Sequence, residues 1–283
     1  MRLLQSLKTR KWLGDGATYA ILTVGACAIL LPFAWMISTS LKEPSQVFIF
    51  PPRWIPKPVV WRNYIDALTA LPFTRFFQNT LTILFLCLVG ELLSCSLVAF
   101  SFARTRWRGR DVCFVLLLST MMLPRQVTII PLFVLFRQLN WIDTFLPLVI
   151  PAWFATNAFY VFLLRQFYMT IPLELDDAAR IDGCTLWGIY WRIIVPLSKP
   201  VLIAISVFSF QTHWNEFFLP LIYLNSTSKF TIALGLQSFK GMYETEWTLL
   251  MAASFTCMIP LLVIFYVAQK HFVQGVVITG VKG

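Results

Sequence analysis

The sequence predicts an all-α integral membrane protein with six transmembrane helices, and three observations carry that expectation. Hydrophobic residues make up 58% of the 283 and charged residues only 13%, about half the charged share of a typical soluble domain. The mean hydropathy is +0.72. The apolar residues fall into six runs, over 19–37, 81–103, 112–131, 145–164, 201–221 and 249–268. Each comes near the roughly 20 residues a helix needs to cross hydrocarbon. No polar stretch between them is long enough to fold as a soluble domain.

The first run follows Arg2, Lys8, Arg10 and Lys11 and imitates a signal peptide, with Ala26-Cys27-Ala28 resembling a cleavage site. Ile29, Leu30 and Leu31 carry it past that point. A cleaved apolar core is only about 7–15 residues, so an uncleaved first span is expected. The long connection 38–79 holds Pro44, Pro51, Pro52, Pro56 and Pro58, a density that excludes a regular helix. Its Trp54 and Trp61 suit an interfacial belt. The third run is interrupted by Pro124-Arg125, and the fifth by Gln211, His213, Asn215 and Glu216.

The net charge of +10 can signal nucleic-acid binding. Here the basic residues stand between apolar runs, which instead orients a chain in a membrane. An even number of spans puts both termini on one side. With that side cytoplasmic, the inner segments hold the larger share of the 23 Lys+Arg, including the short cluster Arg104, Arg106, Arg108 and Arg110. One transmembrane domain over 1–283 is expected, with a cytoplasmic N-terminal tail 1–18, core spans over about 79–268 and a cytoplasmic tail 269–283. Cys27, Cys87, Cys95, Cys113, Cys184 and Cys257 form no CxxC pair and read as packing residues. Neither His213 nor His271 has partners at metal-ligand spacing, so no metal is assigned.

The inner loop 165–199 carries the most information. It contains Ile171-Pro-Leu-Glu-Leu-Asp-Asp-Ala-Ala-Arg-Ile-Asp-Gly-Cys184 and then Pro196-Leu197 and Pro200. Pro172 suits a first helical position. Glu174, Asp176 and Asp177 lie where the helix dipole favours anions, and Gly183 is a helix stop. Ala178 and Ala179 leave one face flat enough for another protein to approach. The alternative, a helix lying on lipid headgroups, sits badly with three acids against an anionic inner leaflet.

Asp177-Ala178-Ala179, Asp182-Gly183 and Pro196-Leu197 with Pro200 resemble the EAA motif of permeases in binding-protein-dependent ABC importers. Pro51-Pro52-Arg-Trp-Ile-Pro56, Asn63-Tyr64, Asn79-Thr80, Trp214-Asn215-Glu216-Phe217 and the ending Phe272-Val-Gln-Gly275 with Gly280-Val-Lys-Gly283 look like the smaller, maltose-type permease of carbohydrate importers. Asp177 stands where the family usually has Glu, and Cys184 where it has Ala. The resemblance implies that Asp177, Ala178, Ala179, Asp182 and Gly183 belong to a coupling helix seated on a cytoplasmic ATPase dimer. That partner would bind ATP and Mg, and this chain no cofactor of its own. It further implies a second permease in a pseudo-symmetric heterodimer, an extracytoplasmic solute-binding protein, surrounding membrane lipid, no nucleic acid, and a bacterial or archaeal cytoplasmic membrane. The chain has no GxxxxGK[ST] phosphate loop.

Ionisable and polar residues within spans are functional candidates by default. Glu91 reads either as a site residue or as a hydrogen-bonded contact between helices. Asn157 reads either as a partner for a sugar hydroxyl or as a contact to a neighbouring helix. Trp214, Asn215 and Glu216, with Gln211 and His213, offer an aromatic face with a polar rim for a sugar, or a gate at the outer mouth. Two other classes fit less well. A secondary transporter commonly shows repeat symmetry, and none is visible. An intramembrane enzyme needs a constellation such as HExxH or Ser/His/Asp, and none stands out.

Overall fold

The computed structural model describes the backbone of residues 2–241 and 245–280, with side chains for 16, 18–241 and 245–269. The side chains of Arg2, Lys8, Arg10, Lys11 and the C-terminal motif from Phe272 onward lie outside the described residues. In chain order the α-helices are α1 (Arg2–Ser40), α2 (Arg62–Thr69), α3 (Phe73–Arg104), α4 (Arg110–Ser119), α5 (Arg125–Gln138), α6 (Leu146–Val149) and α7 (Ala158–Thr170). There follow α8 (Glu174–Ile181), α9 (Leu186–Ile189), α10 (Val195–Leu197), α11 (Lys199–Asn215), α12 (Phe218–Tyr223), α13 (Ile232–Gln237) and α14 (Trp247–Gly280). Among the described residues the one β feature is an isolated bridge between Lys240 and Thr245. Among the described residues four segments are long and apolar enough to cross a membrane: Thr18–Ser40, Phe73–Arg104, Leu146–Thr170 and Trp247–Gln269. Two bent pairs raise the number to six, Arg110–Met122 with Arg125–Gln138 at 98° and Leu186–Leu197 with Lys199–Asn215 at 75°. The six sequence runs each fall on one of these.

The chain divides into two compact units. The first comprises the chain up to Leu71 together with Ser238–Cys257. Its apolar helix exposes Tyr19, Ile21, Leu22, Val24 and Ile29, as a lipid-facing span does. Just past the end of α1 lies a buried polar knot. Asn63 Nδ2 donates to the carbonyls of Ser40 at 2.9 Å and Lys42 at 2.8 Å. The buried Lys42 ammonium sits 3.9 Å from the Trp35 ring centroid, a cation–π contact. The stretch 38–79 is therefore not free of helix, as the proline density led us to expect. Pro58 and Pro72 leave a proline-free interval, and α2 forms inside it.

The second unit comprises Pro72–Gln237 and the chain from Met258 onward. Helix α3 is its axis and packs against α7, α11, α13 and the segment between α6 and α7. Lipid tails are as apolar as leucine, so helices in a membrane associate by close packing and hydrogen bonds. Cys87, Glu91, Cys95 and Ala99, spaced four apart along α3, are all buried and form one ridge. Helix α3 begins at Phe73, eight residues before the apolar run. Phe76 and Thr80 are buried there, and Thr80 Oγ1 accepts from the Ile232 N–H at 2.9 Å.

The fourth span departs from the expected continuous helix. Residues 150–154 wind as a 3-10 turn, and Ala155 takes φ +51°. Irregular backbone is tolerated at membrane depth only where its polar groups find partners, and α3 provides them. Cys87 Sγ reaches the Leu148 carbonyl at 3.3 Å, and Ser94 Oγ donates to the Ala152 carbonyl at 3.0 Å and accepts from the Ala155 N–H at 3.1 Å. Gly90 lets the two come close, since a Cβ there would stand 2.7 Å from the Trp153 indole. The third span breaks before Pro124, which restricts the preceding Leu123 to extended backbone. The fifth breaks at Ser198 between Pro196 and Pro200, and α11 ends at Asn215 rather than running on to 221.

Candidate functional site

The acidic loop folds as its local chemistry dictates, with one exception. Pro172 does not take the first helical position expected of it: Leu173 stands at the N-cap, its carbonyl accepting from the Asp176 and Asp177 N–H groups at 2.9 and 3.1 Å, and Glu174, Asp176 and Asp177 occupy the first turn. At the other end Gly183 takes φ +79°. Its N–H donates to the Arg180 carbonyl at 3.0 Å and the Cys184 N–H to the Ala179 carbonyl at 2.8 Å, the paired bonds of a Schellman stop. Thr185 then caps α9 by accepting from the Gly188 N–H at 3.2 Å. Residues 190–194 continue as a π-turn into α10.

Rotation about the α8 axis gives the helix two faces. Asp176 and Ala179 are buried, Ala179 within the cluster that includes Phe102, Ile171, Ile189, Tyr190 and Ile194. Asp177, Ala178, Asp182 and Gly183 are exposed. The two alanines therefore do not share one outward face. Ala179 seats the helix on its own bundle and Ala178 looks out. The outward face also carries Ile181, 86% exposed, with Leu175 and Trp187 exposed nearby. Large apolar residues in a short polar loop are the sequence signal for this part of the face. Asp177 makes one ion pair on this face, 3.8 Å from Arg180.

Asp176 instead points inward to Arg104, the last residue of α3, with Nη1 and Oδ2 3.6 Å apart. Arg104 Nη2 also donates to the Ile171 carbonyl at 2.7 Å. Burial lifts the Asp176 carboxyl above its ordinary value, opposed by the Arg104 and then the Arg180 guanidinium. The basic loop and the acidic helix thus lie at one end of the unit.

The polar residues of the spans take distinct places. Glu91 is buried on α3 and accepts from Ser209 Oγ at 2.6 Å, with His213 Nε2 at 3.3 Å, both from α11. Trp214 is buried, stacked on Phe210 and edge-on to Phe77. Asn215 is exposed and donates to the Gln211 carbonyl at 2.9 Å. Glu216 accepts from the N–H groups of Phe218 and Leu219 at 3.1 and 3.2 Å, starting α12, and lies 3.6 Å from Arg125. That ion pair joins the bend before α5 to the end of α11. Asn157 caps α7, accepting from the Tyr160 N–H at 3.4 Å. At the far end of α3, Asp143 fastens the loop after α5 to the loop after α12. Hydrogen bonds from the Ser226 hydroxyl and N–H, the Asn225 N–H and Lys229 hold its carboxyl well below the usual range. A lowered carboxylate stabilises above its ordinary pKa, so this staple holds at neutral pH and is lost only in strong acid.

Bundle and outward-facing acidic helix together define a membrane-embedded permease component, which is a transporter subunit and not a catalyst. The chain belongs to the family described as binding-protein-dependent transport system inner membrane component, which matches residues 95–278. It is therefore a multi-pass inner-membrane protein of a transport system that depends on a binding protein. It is 34% identical over 247 residues to the arabinooligosaccharides transport system permease protein AraQ of Halalkalibacterium halodurans, covering 87% of this chain and 86% of that one. It is 30% identical to the diacetylchitobiose uptake system permease protein DasC of Streptomyces coelicolor, covering 99% of each. It is 33% identical to the sn-glycerol-3-phosphate transport system permease protein UgpE of Yersinia pestis, covering 92% of this chain and 94% of that one. Its fold matches a chain of a bacterial ABC transporter that imports alginate, with TM-score 0.82 at 24% identity over 92% of this chain and 96% of that chain.

Proposed function

We propose that this chain is one of two permeases, paired as a pseudo-symmetric heterodimer, in an ATP-driven importer of a sugar, oligosaccharide or related polyol phosphate. The observation that carries the energy-coupling part is the outward face of α8, where Asp177, Ala178 and Ile181 stand exposed on a helix anchored through its opposite side. A short rigid helix with an exposed acid and an apolar tip suits docking in a groove of another protein. The partner is an ATPase dimer, which binds ATP and Mg, and an extracytoplasmic binding protein delivers the solute. The relatives transport arabinooligosaccharides, diacetylchitobiose and sn-glycerol-3-phosphate by their names, which supports the substrate class. Residues 1–283 act as one transmembrane domain. Glu91, Asn157, Trp214, Asn215 and Glu216 flank the route, with Asn215 the exposed member.

Deleting the gene should abolish uptake of one labelled member of this substrate class, and the plasmid-borne gene should restore it. Unchanged uptake across sugars, oligosaccharides and polyol phosphates would overturn the substrate reading.

The membrane sidedness rests on the 104–110 cluster, which lies at the same end of the unit as α8. Both termini are accordingly cytoplasmic. An alkaline phosphatase fused after Gly283 should be inactive and a green fluorescent protein there fluorescent; the reverse pair of results would invert the topology.

A further inference from the structure

Helix α8 needs a connection to the spans if a push on its outer face is to reach them, and the structure offers few. Ala179 gives it only a methyl contact in the apolar cluster. The other inward side chain is Asp176, and its partner Arg104 ends the axial helix of the unit. The two side chains are 4% and 1% exposed. Arg104 also holds the Ile171 carbonyl at the end of α7, so one guanidinium gathers α3, α7 and α8.

We propose that the Arg104–Asp176 ion pair is the strut through which α8 drives α3, a role that rests on the coupling reading given above. A buried charge pair is well suited to this. Apolar pairs of similar volume often stabilise a fold as well or better, but they slide. An ion pair fixes one register, because displacing either charge leaves the other buried without its partner. The load then has a continuous route. Glu91 lies thirteen residues before Arg104 on α3, about 20 Å along a helix rising 1.5 Å per residue. From Glu91 the hydrogen bonds to Ser209 and His213 pass to α11. That helix ends at Asn215, next to the Arg125–Glu216 contact at the bend of the third span. Motion at α8 thus reaches the bent third and fifth spans through helices and specific polar contacts. Arg104 and Asp176 are positioning residues, since neither faces the outward surface.

The test uses the intact complex, purified in lipid with its partner permease, ATPase and binding protein. Arg104→Asp and Asp176→Arg should each keep the ATPase bound but cut hydrolysis stimulated by the loaded binding protein by about tenfold, and the double exchange should recover most of it, as a coupled pair requires. Arg104→Met with Asp176→Leu keeps the site filled without charge, so it guards against variants that fail to fold. That double variant should assemble with bound ATPase and yet remain unstimulated. Wild-type stimulation in it would overturn the strut, and so would its failure to assemble, which would make the pair a folding element. An ATPase that does not co-purify with the unaltered chain would sink the coupling reading itself, an outcome separate from either.

Discussion

Gly183→Val is expected to strip the complex of stimulated ATP hydrolysis while the spans still insert. Gly183 holds φ +79° and has nothing within 4 Å of where a Cβ would stand, so the penalty comes from the backbone and not from crowding. A β-branched residue forced into that region costs about 1–3 kcal/mol, which the loop can avoid by abandoning the Schellman stop and turning α8 away. Gly183→Asn should be nearly silent, because asparagine accepts the left-handed conformation. Asp177→Lys attacks the same surface by charge. The Asp177 side chain is 70% exposed, so its reversal spares the interior, sets a cation beside Arg180 and places it at the wrong end of the helix dipole. ATPase co-purification should fall sharply with Asp177→Lys and stay near normal with Asp177→Glu. Normal ATPase retention and stimulation in both Gly183→Val and Asp177→Lys would remove the docking role from this loop.

Glu91→Ala is expected to loosen α11 from α3 and reduce transport. The substitution leaves Ser209 Oγ and His213 Nε2 facing a space where a carboxylate accepted from one and met the other. Orphaning buried polar groups costs about 1–3 kcal/mol in total effect, although membrane interiors often return less. Glu91→Gln keeps an acceptor for Ser209 and should recover most of the thermal stability. The measurement is the unfolding temperature of the purified complex beside its uptake rate. An unfolding temperature that is the same for Glu91→Ala and the unaltered chain would show that the pair does not hold the helices. Lost uptake at unchanged stability would then move Glu91 to the translocation route alone.

The amount that was legible in the sequence differs from place to place, for physical reasons. The spans were legible because crossing hydrocarbon demands apolar length, and each of the six runs has it. The interruption at Pro124 was visible as well, whereas the polar cluster at 211–216 does not break its helix: α11 continues through Gln211 and His213 to Asn215, and the sharp bend of the fifth span lies instead at Ser198, between Pro196 and Pro200. The break inside the fourth span was not legible. Nothing in Ile150-Pro-Ala-Trp-Phe154 announces a positive φ at Ala155; that backbone persists because Cys87, Ser94 and Gly90 of α3 accommodate it.

The sequence by itself determined the membrane class, a short acidic helix between Pro172 and its glycine stop at Gly183, and the family to which the motifs point. Those features depend on apolar length, on proline and glycine, and on neighbours within one helical turn. The tertiary structure decided which of two adjacent acids stays inside. Asp176 and Asp177 differ by one residue, hence by about 100° around the helix axis, and no local rule prefers either. Packing of Ala179 against the bundle sets the rotation, which brings Asp176 to an arginine 72 residues earlier and turns Asp177 outward. The same holds for Glu91, whose partners Ser209 and His213 lie 118 and 122 residues away. Pairings at that separation are fixed by how helices are rotated and stacked against one another, a property of the assembled bundle and of no single segment within it.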